Sequence, residues 1–204
     1  MSTPAYSRLQ VDERRRQLLE AGAALFAEHA YEDISMRQIA AAAGVSKPLL
    51  YHYFPSKPDL FKAAFAEAAA ELESVIEPRG EGAPFEQLSA ALDGYLAWIE
   101  AHAQAWTNLM QSAARLPEAR ELVEGFRGRT MDLVLEELSG GEPPRPLLRT
   151  AVRGWLGYLD AAILDWTEHA DIPREKLRDL LLAAFGAALL TAQQGDPEIQ
   201  LKLG

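Results

Sequence analysis

The side chains with the most directed hydrogen-bonding chemistry are concentrated in one short segment of the chain. Lys47, Tyr51, His52 and Lys57 carry ammonium, phenol and imidazole groups, and each of these groups donates hydrogen bonds. On one exposed surface they would contact anionic and polar groups of a partner without making or breaking a covalent bond. The chemistry that this segment offers is therefore noncovalent recognition.

Covalent chemistry has less support in the sequence. The chain has no cysteine and four histidines, and it contains no metal-ligand spacing, nucleophile elbow or phosphate-binding loop. An enzyme that uses His102 or His169 as a general base is the remaining catalytic hypothesis. The residues favour a protein that is not an enzyme and that needs no metal and no cofactor.

Two short helices are needed to position the recognition side chains. Ser35 followed three residues later by Gln38 predicts a capping box at the start of the first helix. Ser46 predicts the start of the second helix, where Pro48 falls in the first turn and its missing N–H costs nothing. The two predicted helices meet at Gly44.

This pair satisfies the requirements of a helix-turn-helix. Ala40 is the small residue expected where the helices cross, and Gly44 can take the positive φ of the turn. The apolar residues Ile39, Val45, Leu50 and Phe54 then point inward. Their neighbours lie wholly or partly outward, namely Lys47, Pro48, Leu49, His52 and Tyr53. A second helix with such an exposed face is the geometry that enters a DNA major groove.

The same residues carry a family resemblance. The segments "ISMRQIAAAAG" and "VSKPLLYHYFPSKPDLF" resemble the DNA-binding domain of the tetracycline-repressor (TetR) family over about residues 11–65. The most specific part is Leu50-Tyr51-x-x-Phe54-x-x-Lys57. The resemblance implies an all-helical homodimer whose remaining helices bind a small effector and dimerise.

Position by position, the resemblance also implies roles for single residues. It makes Ser35, Tyr51 and Lys57 phosphate contacts, and it places Arg37, Lys47, Pro48, Leu49 and His52 against base edges. The family more often has Gly or Ala at position 48 and Thr around positions 35–36. For Arg14, Arg15 and Arg16 both a phosphate contact and a solvated helix face remain open.

Charge and apolar patterning are compatible with this interpretation. The net charge is −10, but residues 1–62 sum to +1 and the remainder to −11, so the acidic part can face away from DNA. The lack of cysteine and of an export signal predicts a cytoplasmic protein. The longest apolar run, residues 180–192, is shorter than the roughly 20 residues that span a bilayer, so no membrane partner is expected.

Helical periodicity runs through nearly every long segment, which predicts an all-α fold. We expect a flexible tail at 1–10, the helix-turn-helix domain at 11–56 and a connecting helix at 57–77. After a Gly/Pro-rich break at 77–84, an effector-binding and dimerisation domain follows at 84–204. Its predicted helices span 85–102, 105–115, 118–138, 145–169 and 174–193.

Two aromatic stripes in the C-terminal part have two interpretations. Their members recur at spacings of three and four, and they are Tyr95, Trp98, His102, Trp106 and Met110 in one stripe and Trp155 and Tyr158 in the other. Such stripes are either core or the lining of an apolar pocket with a few polar anchors. Through the family resemblance they predict a site for a small hydrophobic effector.

The last predicted helix is apolar all round, so it must be covered on two sides. Leu182, Phe185 and Leu189 are expected to close the core of their own subunit. The other side is expected to pair with the preceding helix across a twofold axis. The predicted interface residues are Leu156, Leu159, Ile163, Leu177, Leu181, Ala184, Ala188 and Thr191. A buried central helix in a monomer is the alternative.

The sequence thus favours a ligand-responsive transcriptional regulator, a repressor, that binds a palindromic double-stranded DNA operator as a homodimer and is released by its effector. The alternative is a helical small-molecule binding protein without DNA-regulatory activity. Loss of Lys47, Tyr51 and Lys57 would have indicated that alternative, and all three are present.

Overall fold

The computed structural model describes residues 5–76 and 84–201, and within these ranges all regular secondary structure is helical. The all-α prediction is confirmed. The helices are α1 (Ala5–Glu28), α2 (Met36–Ala42), α3 (Lys47–Tyr53), α4 (Lys57–Ile76), α5 (Pro84–Ala101), α6 (Ala103–Arg115), α7 (Pro117–Ser139), α8 (Pro146–His169) and α9 (Arg174–Gly195), with a 3-10 turn at Tyr31–Asp33 between α1 and α2.

Two predicted irregular segments fall partly outside the described residues. Of the expected tail at 1–10, the first four residues are not described, and the chain is already helical from Ala5. The expected break at 77–84 is described only at Pro84, which is the first residue of α5.

Local signals account for the helix ends that the structure shows. Gly140 and Gly141 follow α7 with φ of 60° and 82°, and such positive values stop a helix at little steric cost for glycine. Pro146 occupies the first turn of α8, where its fixed φ suits the helix. Ala170 ends α8 with a φ of 50° and donates its N–H to the carbonyl of Trp166.

The chain divides into two compact units, and the first holds the helix-turn-helix. It comprises the chain up to Glu71 together with Gln104–Leu122, so α6 belongs to it although α6 follows α5 of the other unit. Its core contains the fully buried Leu18, Ile39, Leu50 and Leu60. Gly22 lets α1 and α4 approach closely, because a Cβ there would lie 2.2 Å from Leu60 Cδ2.

The second unit comprises Leu72–Ala103 and the chain from Val123 onward. Within it, α9 packs against both α8 and α5. Trp155 of α8 is buried, donates its indole N–H to the carbonyl oxygen of Leu181 at 3.0 Å, and lies 4.4 Å from the ring of Phe185. Apolar burial against α5 and α8 therefore holds α9 in this unit.

No helix among the described residues has both the length and the apolar character required to cross a membrane.

Candidate nucleic-acid interface

The start of α2 is held by a complete capping box. The backbone N–H of Gln38 donates to Ser35 Oγ at 3.3 Å, and the backbone N–H of Ser35 donates to Gln38 Oε1 at 2.8 Å. Two N–H groups that would otherwise lack a helical partner are thereby satisfied. The local sequence thus defines where α2 begins.

The turn between α2 and α3 depends on Gly44. Its φ is 65°, a left-handed conformation that residues with a Cβ adopt at a cost. The turn is closed by bonds from the N–H of Gly44 to the carbonyl of Ala41 at 3.1 Å and from the N–H of Val45 to the carbonyl of Ala40 at 3.0 Å. Gly44 therefore sets the direction in which α3 leaves α2.

One face of α3 anchors it in the core. Ser46 caps its start by accepting the N–H of Leu49 at 3.4 Å, and Pro48 lies in the first turn. Leu50 is 0% exposed and Phe54, the residue that caps the end of α3, is 2% exposed. Because these two anchors are four residues apart, the opposite face of α3 must point away from the core.

That opposite face carries the predicted recognition side chains. All five are exposed, and they are Lys47, Pro48, Leu49, Tyr51 and His52. Leu49 and Tyr51 are large apolar or aromatic residues left 37% and 40% exposed. The ammonium of Lys47 lies 5.5 Å from the centre of the Tyr51 ring. The face combines a cation, an aromatic hydroxyl, an imidazole and apolar surface, which is the mixture that contacts phosphates and base edges.

Arg37 and Ser35, predicted on α2 and at its cap, are also exposed. The hydroxyl of Ser35 donates to Gln38 Oε1 at 2.5 Å while its oxygen accepts from the backbone of Gln38. The hydroxyl group of Ser35 is therefore already used in capping α2.

The three consecutive arginines of α1 have separate surroundings. Arg16 pairs with Glu13 and approaches Glu20 at 3.8 Å, while Arg14 donates to Gln17 at 3.0 Å. The guanidinium carbon of Arg15 lies 5.0 Å from the centre of the Phe54 ring at the end of α3. Of the three, Arg15 is the arginine packed against a residue of the helix-turn-helix.

Lys57 has partners that the sequence did not suggest. Its ammonium donates to the carbonyl oxygens of Tyr31 at 2.7 Å and Ile34 at 2.8 Å, and it lies 4.0 Å from the centre of the Tyr31 ring. Burial lowers the pKa of Lys57, and the nearby carboxylates of Glu32 and Asp33 oppose that shift. Lys57 is thus engaged within its own unit.

Asn108 is a structural residue of this unit whose role the sequence did not indicate. Its side-chain amide donates to the carbonyl oxygen of Ala27 at 2.9 Å, in the last turn of α1. The last carbonyls of a helix have no partner within that helix, so Asn108 of α6 supplies one. Only the fold brings together positions so far apart in the chain, and no local pattern marks the contact.

The two histidines considered for catalysis both lie against backbone carbonyl oxygens four residues earlier in the chain. Nδ1 of His102 lies 2.8 Å from the carbonyl oxygen of Trp98, and Nδ1 of His169 lies 2.9 Å from that of Asp165. The hydrogen bond to Asp165 and its charge raise the pKa of His169. Within 5–76 and 84–201, no group of three or more His, Asp or Glu side chains is placed to hold a metal ion.

The predicted effector residues are distributed over both units. Trp106 is buried and Met110 half-buried in the first unit. In the second unit, Trp98 and His102 stack with ring centres 4.3 Å apart, Trp155 and Tyr95 are buried, and Tyr158 is 40% exposed. Trp155 thus belongs to the core of its unit. The role of these seven residues in binding an effector stays a prediction.

Tyr95 belongs to a buried polar cluster of the second unit. Asp160 is 8% exposed and its Oδ2 lies 2.5 Å from an amino nitrogen of Arg127. Burial raises the pKa of Asp160, whereas the charge of Arg127 opposes that shift. Burial and the carboxylate of Asp160 likewise raise the pKa of Tyr95.

A cleft of about 200 Å³ lies beside this cluster in the second unit. It is formed by α7 and α8, and its lining residues are Glu124, Arg127, Gly128, Met131, Arg153, Leu156 and Gly157. None of the seven predicted effector residues lines it. The lining carries charges of both signs, unlike the apolar pocket that the aromatic stripes suggested.

The predicted interface residues of α8 and α9 differ in their exposure. Five are buried within their own unit, namely Leu156, Leu159, Ile163, Leu177 and Leu181. The expectation that Leu177 and Leu181 point outward does not hold, because α9 packs against α5 as well as α8. Ala184 and Ala188 are half-buried and Thr191 is exposed. The exposed apolar residues of α9 are instead Ala183 and Ala187 together with Leu180 and Leu190, which are 50% and 59% exposed.

The first unit, with a capped α2, a glycine turn and a core-anchored α3 that exposes one face, defines a helix-turn-helix protein. Comparison with known families gives the particular family. Residues 18–64 match the family described as bacterial regulatory proteins, tetR family, and residues 84–188 match the tetracyclin repressor-like C-terminal domain. The chain belongs to the TetR family, as its sequence motifs implied.

Individual relatives support this assignment over different lengths. The transcriptional activator FasR of Mycolicibacterium smegmatis is 34% identical over 108 residues, which cover 52% of this chain and 49% of FasR. The chain thus spans about half the length of that relative. The repressor AcnR of Corynebacterium diphtheriae is 34% identical over 77 residues, 38% of this chain and 40% of AcnR. A tetR-family regulator from Streptomyces coelicolor has a similar structure, with a TM-score of 0.81, 28% identity and coverage of 92% of this chain and 85% of that one.

Proposed function

We propose that this protein is a transcriptional regulator that binds a palindromic DNA operator as a homodimer. The observation that supports the proposal is the exposed face of α3, where Lys47, Tyr51 and His52 project from a helix held by the buried Leu50 and Phe54. A helix fixed on one side and polar on the other can enter a major groove without rearranging its domain. The half-sites of a dimer are then related by the twofold axis of the protein.

The distribution of charge fits this mode of binding. Residues 1–62 carry a formal charge of +1, whereas the remainder carries −11. Phosphate repulsion disfavours any approach of the acidic part to DNA, so binding through α3 also orients the protein. Specific contacts from a few cations supply the attraction locally.

Dimerisation in this proposal uses the exposed flanks of α8 and α9. Ala183, Ala187 and Leu190 form an exposed apolar flank of α9, and the small residues Gly154 and Gly157 are exposed on α8. Small residues allow two helices to approach closely, and the larger Leu180 and Leu190 supply apolar area. A twofold axis brings the same patch of the two subunits together, so this single patch is sufficient to form the dimer interface.

A small hydrophobic effector is proposed to release the operator. The second unit contains Tyr95, Trp98, Trp155 and Tyr158, and α4 runs from the first unit into the second. An effector that binds more tightly when α4 is in one position than in another shifts the protein toward that position. If the operator is bound only in the other position, the effector releases the DNA. We further propose that the operator-bound form represses, since a bound dimer occupies the DNA and AcnR is a repressor.

Selection of bound DNA from a random-sequence library tests the proposal. The full chain should enrich an inverted repeat whose half-sites lie one helical turn apart, about 34–36 Å, or a multiple of that distance. A Lys47→Ala, His52→Ala double variant with the same fold serves as the control and should enrich the motif less strongly. A wild-type selection that enriches no motif would instead support a helical small-molecule binder without regulatory activity.

A further inference from the structure

The ammonium of Lys57, the first residue of α4, is directed at groups of its own unit. Its Nζ lies 2.7 Å from the carbonyl oxygen of Tyr31 and 2.8 Å from that of Ile34. The Tyr31 ring covers the same ammonium at 4.0 Å. An ammonium has three N–H donors, and two of them are directed at backbone carbonyls far away in the sequence.

The two carbonyls belong to the connection between α1 and α2. Tyr31 opens the 3-10 turn, and its carbonyl also accepts the N–H of Ile34 at 3.3 Å. Ile34 directly precedes Ser35, the residue that caps α2. Lys57 therefore fixes the backbone from which α2 starts, and it does so from the first residue of α4.

Packing around Tyr31 holds in place the backbone segment whose carbonyl oxygens contact Lys57. The Tyr31 ring lies 5.0 Å from the ring of Phe61 on α4 and 5.9 Å from that of Phe26 on α1. Ile34 is 3% exposed. Apolar side chains thus immobilise the segment that presents its carbonyls to Lys57, so little entropy remains to be lost when the hydrogen bonds form.

The charges near Lys57 are unfavourable for a phosphate contact. Glu32 and Asp33, both exposed, lie close enough to the ammonium to influence its pKa. A phosphate that approached Lys57 would also approach these two carboxylates and would be repelled by them.

We propose that Lys57 is a positioning residue that ties the start of α2 to the start of α4, so that the placement of the α2–α3 pair follows that of α4. This inference rests on the proposed DNA-binding function. It differs from the phosphate contact that the family resemblance implied for this lysine. Because α4 continues into the second unit, the tie also gives a displacement of α4 a direct route to the helix-turn-helix.

Three variants of the whole chain distinguish the two roles. Lys57→Met removes the charge and all three donors but keeps a long unbranched side chain. Lys57→Arg keeps the charge, but a planar guanidinium does not reproduce the geometry of an ammonium between two carbonyls. Lys62→Met, at an exposed lysine on the same helix, controls for the loss of one positive charge on α4.

The first measurement is amide hydrogen exchange of the free protein across residues 31–39. If Lys57 positions α2, Lys57→Met and Lys57→Arg should both speed exchange there by roughly tenfold, because opening of this segment becomes easier. Lys62→Met should leave it unchanged. Unchanged exchange in both Lys57 variants would overturn the proposal.

The second measurement is operator affinity as a function of salt. A positioning role predicts that both Lys57 variants lose affinity, by roughly tenfold, with the wild-type salt slope, since no phosphate contact is lost. A slope flattened by about one unit per subunit in Lys57→Met, together with full affinity in Lys57→Arg, would assign Lys57 to a phosphate and contradict the proposal.

The two measurements also separate this inference from the proposed function. If the wild-type protein selects no DNA, the regulatory function fails while the exchange experiment still decides the role of Lys57. If Lys57→Met does not fold, Lys57→Arg still decides between the two roles. Faster exchange with lost operator affinity in Lys57→Arg supports the positioning role, and unchanged exchange with full affinity contradicts it.

Discussion

Lys47 is the first residue of α3 and His52 lies in its last turn, and both side chains are exposed, while Leu50 between them is fully buried. Their contribution to binding should therefore depend on the bases that they face, and neither is needed for the core. Replacing either with Ala should cost about 1–3 kcal/mol at particular base pairs of the operator and little at others. Affinities for a panel of single-base operator variants would show this pattern.

Lys62→Ala is the matched control for the loss of a lysine. Lys62 is exposed on α4 and belongs neither to α3 nor to the surface proposed for dimerisation. It should leave the base preference unchanged. A uniform loss of affinity for Lys47→Ala and His52→Ala across the panel would contradict their assignment to base edges.

The exposed positions of α3 were predictable from the sequence, whereas the contacts of Lys57 were not. Outward-facing positions of α3 followed from Leu50 and Phe54 alone, because a four-residue spacing fixes which side of a helix is buried. The partners of Lys57 did not follow, since Tyr31 and Ile34 lie 26 and 23 positions away. The spacing of apolar residues along the sequence gives no information about a contact between a side chain and a backbone carbonyl so far apart in the chain.

At the scale of elements, the turn between α2 and α3 makes a specific prediction about Gly44. Nothing lies within 4 Å of a Cβ added there, but the φ of 65° remains unfavourable for alanine. Gly44→Ala should therefore lower the free energy of unfolding by about 1–2 kcal/mol through backbone strain alone. Chemical denaturation at one fixed protein concentration measures this change.

Gly128→Ala, at a glycine inside a helix, should change the free energy of unfolding in the opposite direction. Gly128 lies inside α7 and a Cβ there also meets nothing within 4 Å. Because its φ is not in the left-handed region, alanine should stabilise the protein by about 0.5–1 kcal/mol. If both variants shifted stability in the same direction, backbone conformation would not explain the role of Gly44.

Helix boundaries were predictable where caps are local. Ser35 with Gln38 and Ser46 with Pro48 placed α2 and α3 correctly, because each signal lies within three or four residues of the backbone that it caps. The inward and outward sides of α9 were not predictable in the same way. Its sequence is apolar all round, so only packing against both α5 and α8 determined that Leu177 and Leu181 are buried.

At the scale of the whole molecule, the proposed dimer can be tested with two matched substitutions. Leu190 on α9 is 59% exposed and Leu133 on α7 is 65% exposed. Leu190→Glu should dissociate the dimer, because a carboxylate buried in the interface has no partner and its desolvation is expensive. Leu133→Glu should remain dimeric. Light scattering over a range of concentrations distinguishes the two, and an intact Leu190→Glu dimer would rule out this flank of α9.

Coupling between effector and operator is a second property of the whole molecule. A coupling free energy of about 1–3 kcal/mol would lower operator affinity roughly 5- to 150-fold when the effector is bound. Reciprocity requires the operator to weaken effector binding by the same factor. Calorimetric titration of a ligand found by tryptophan quenching, with and without operator, measures this. Equal affinities in the two titrations would show that this ligand does not release the DNA.

If α3 reads base edges in the major groove, then alteration of single atoms on those edges must weaken operator binding. Purine N7 is an acceptor in the major groove only. Each purine of the selected half-sites is replaced in turn by its 7-deaza analogue, and binding of the wild-type protein is measured at fixed salt. Substitutions at contacted positions, placed symmetrically in the two half-sites, should weaken binding by about 1–3 kcal/mol. Unchanged affinity at every purine position would contradict major-groove recognition by α3.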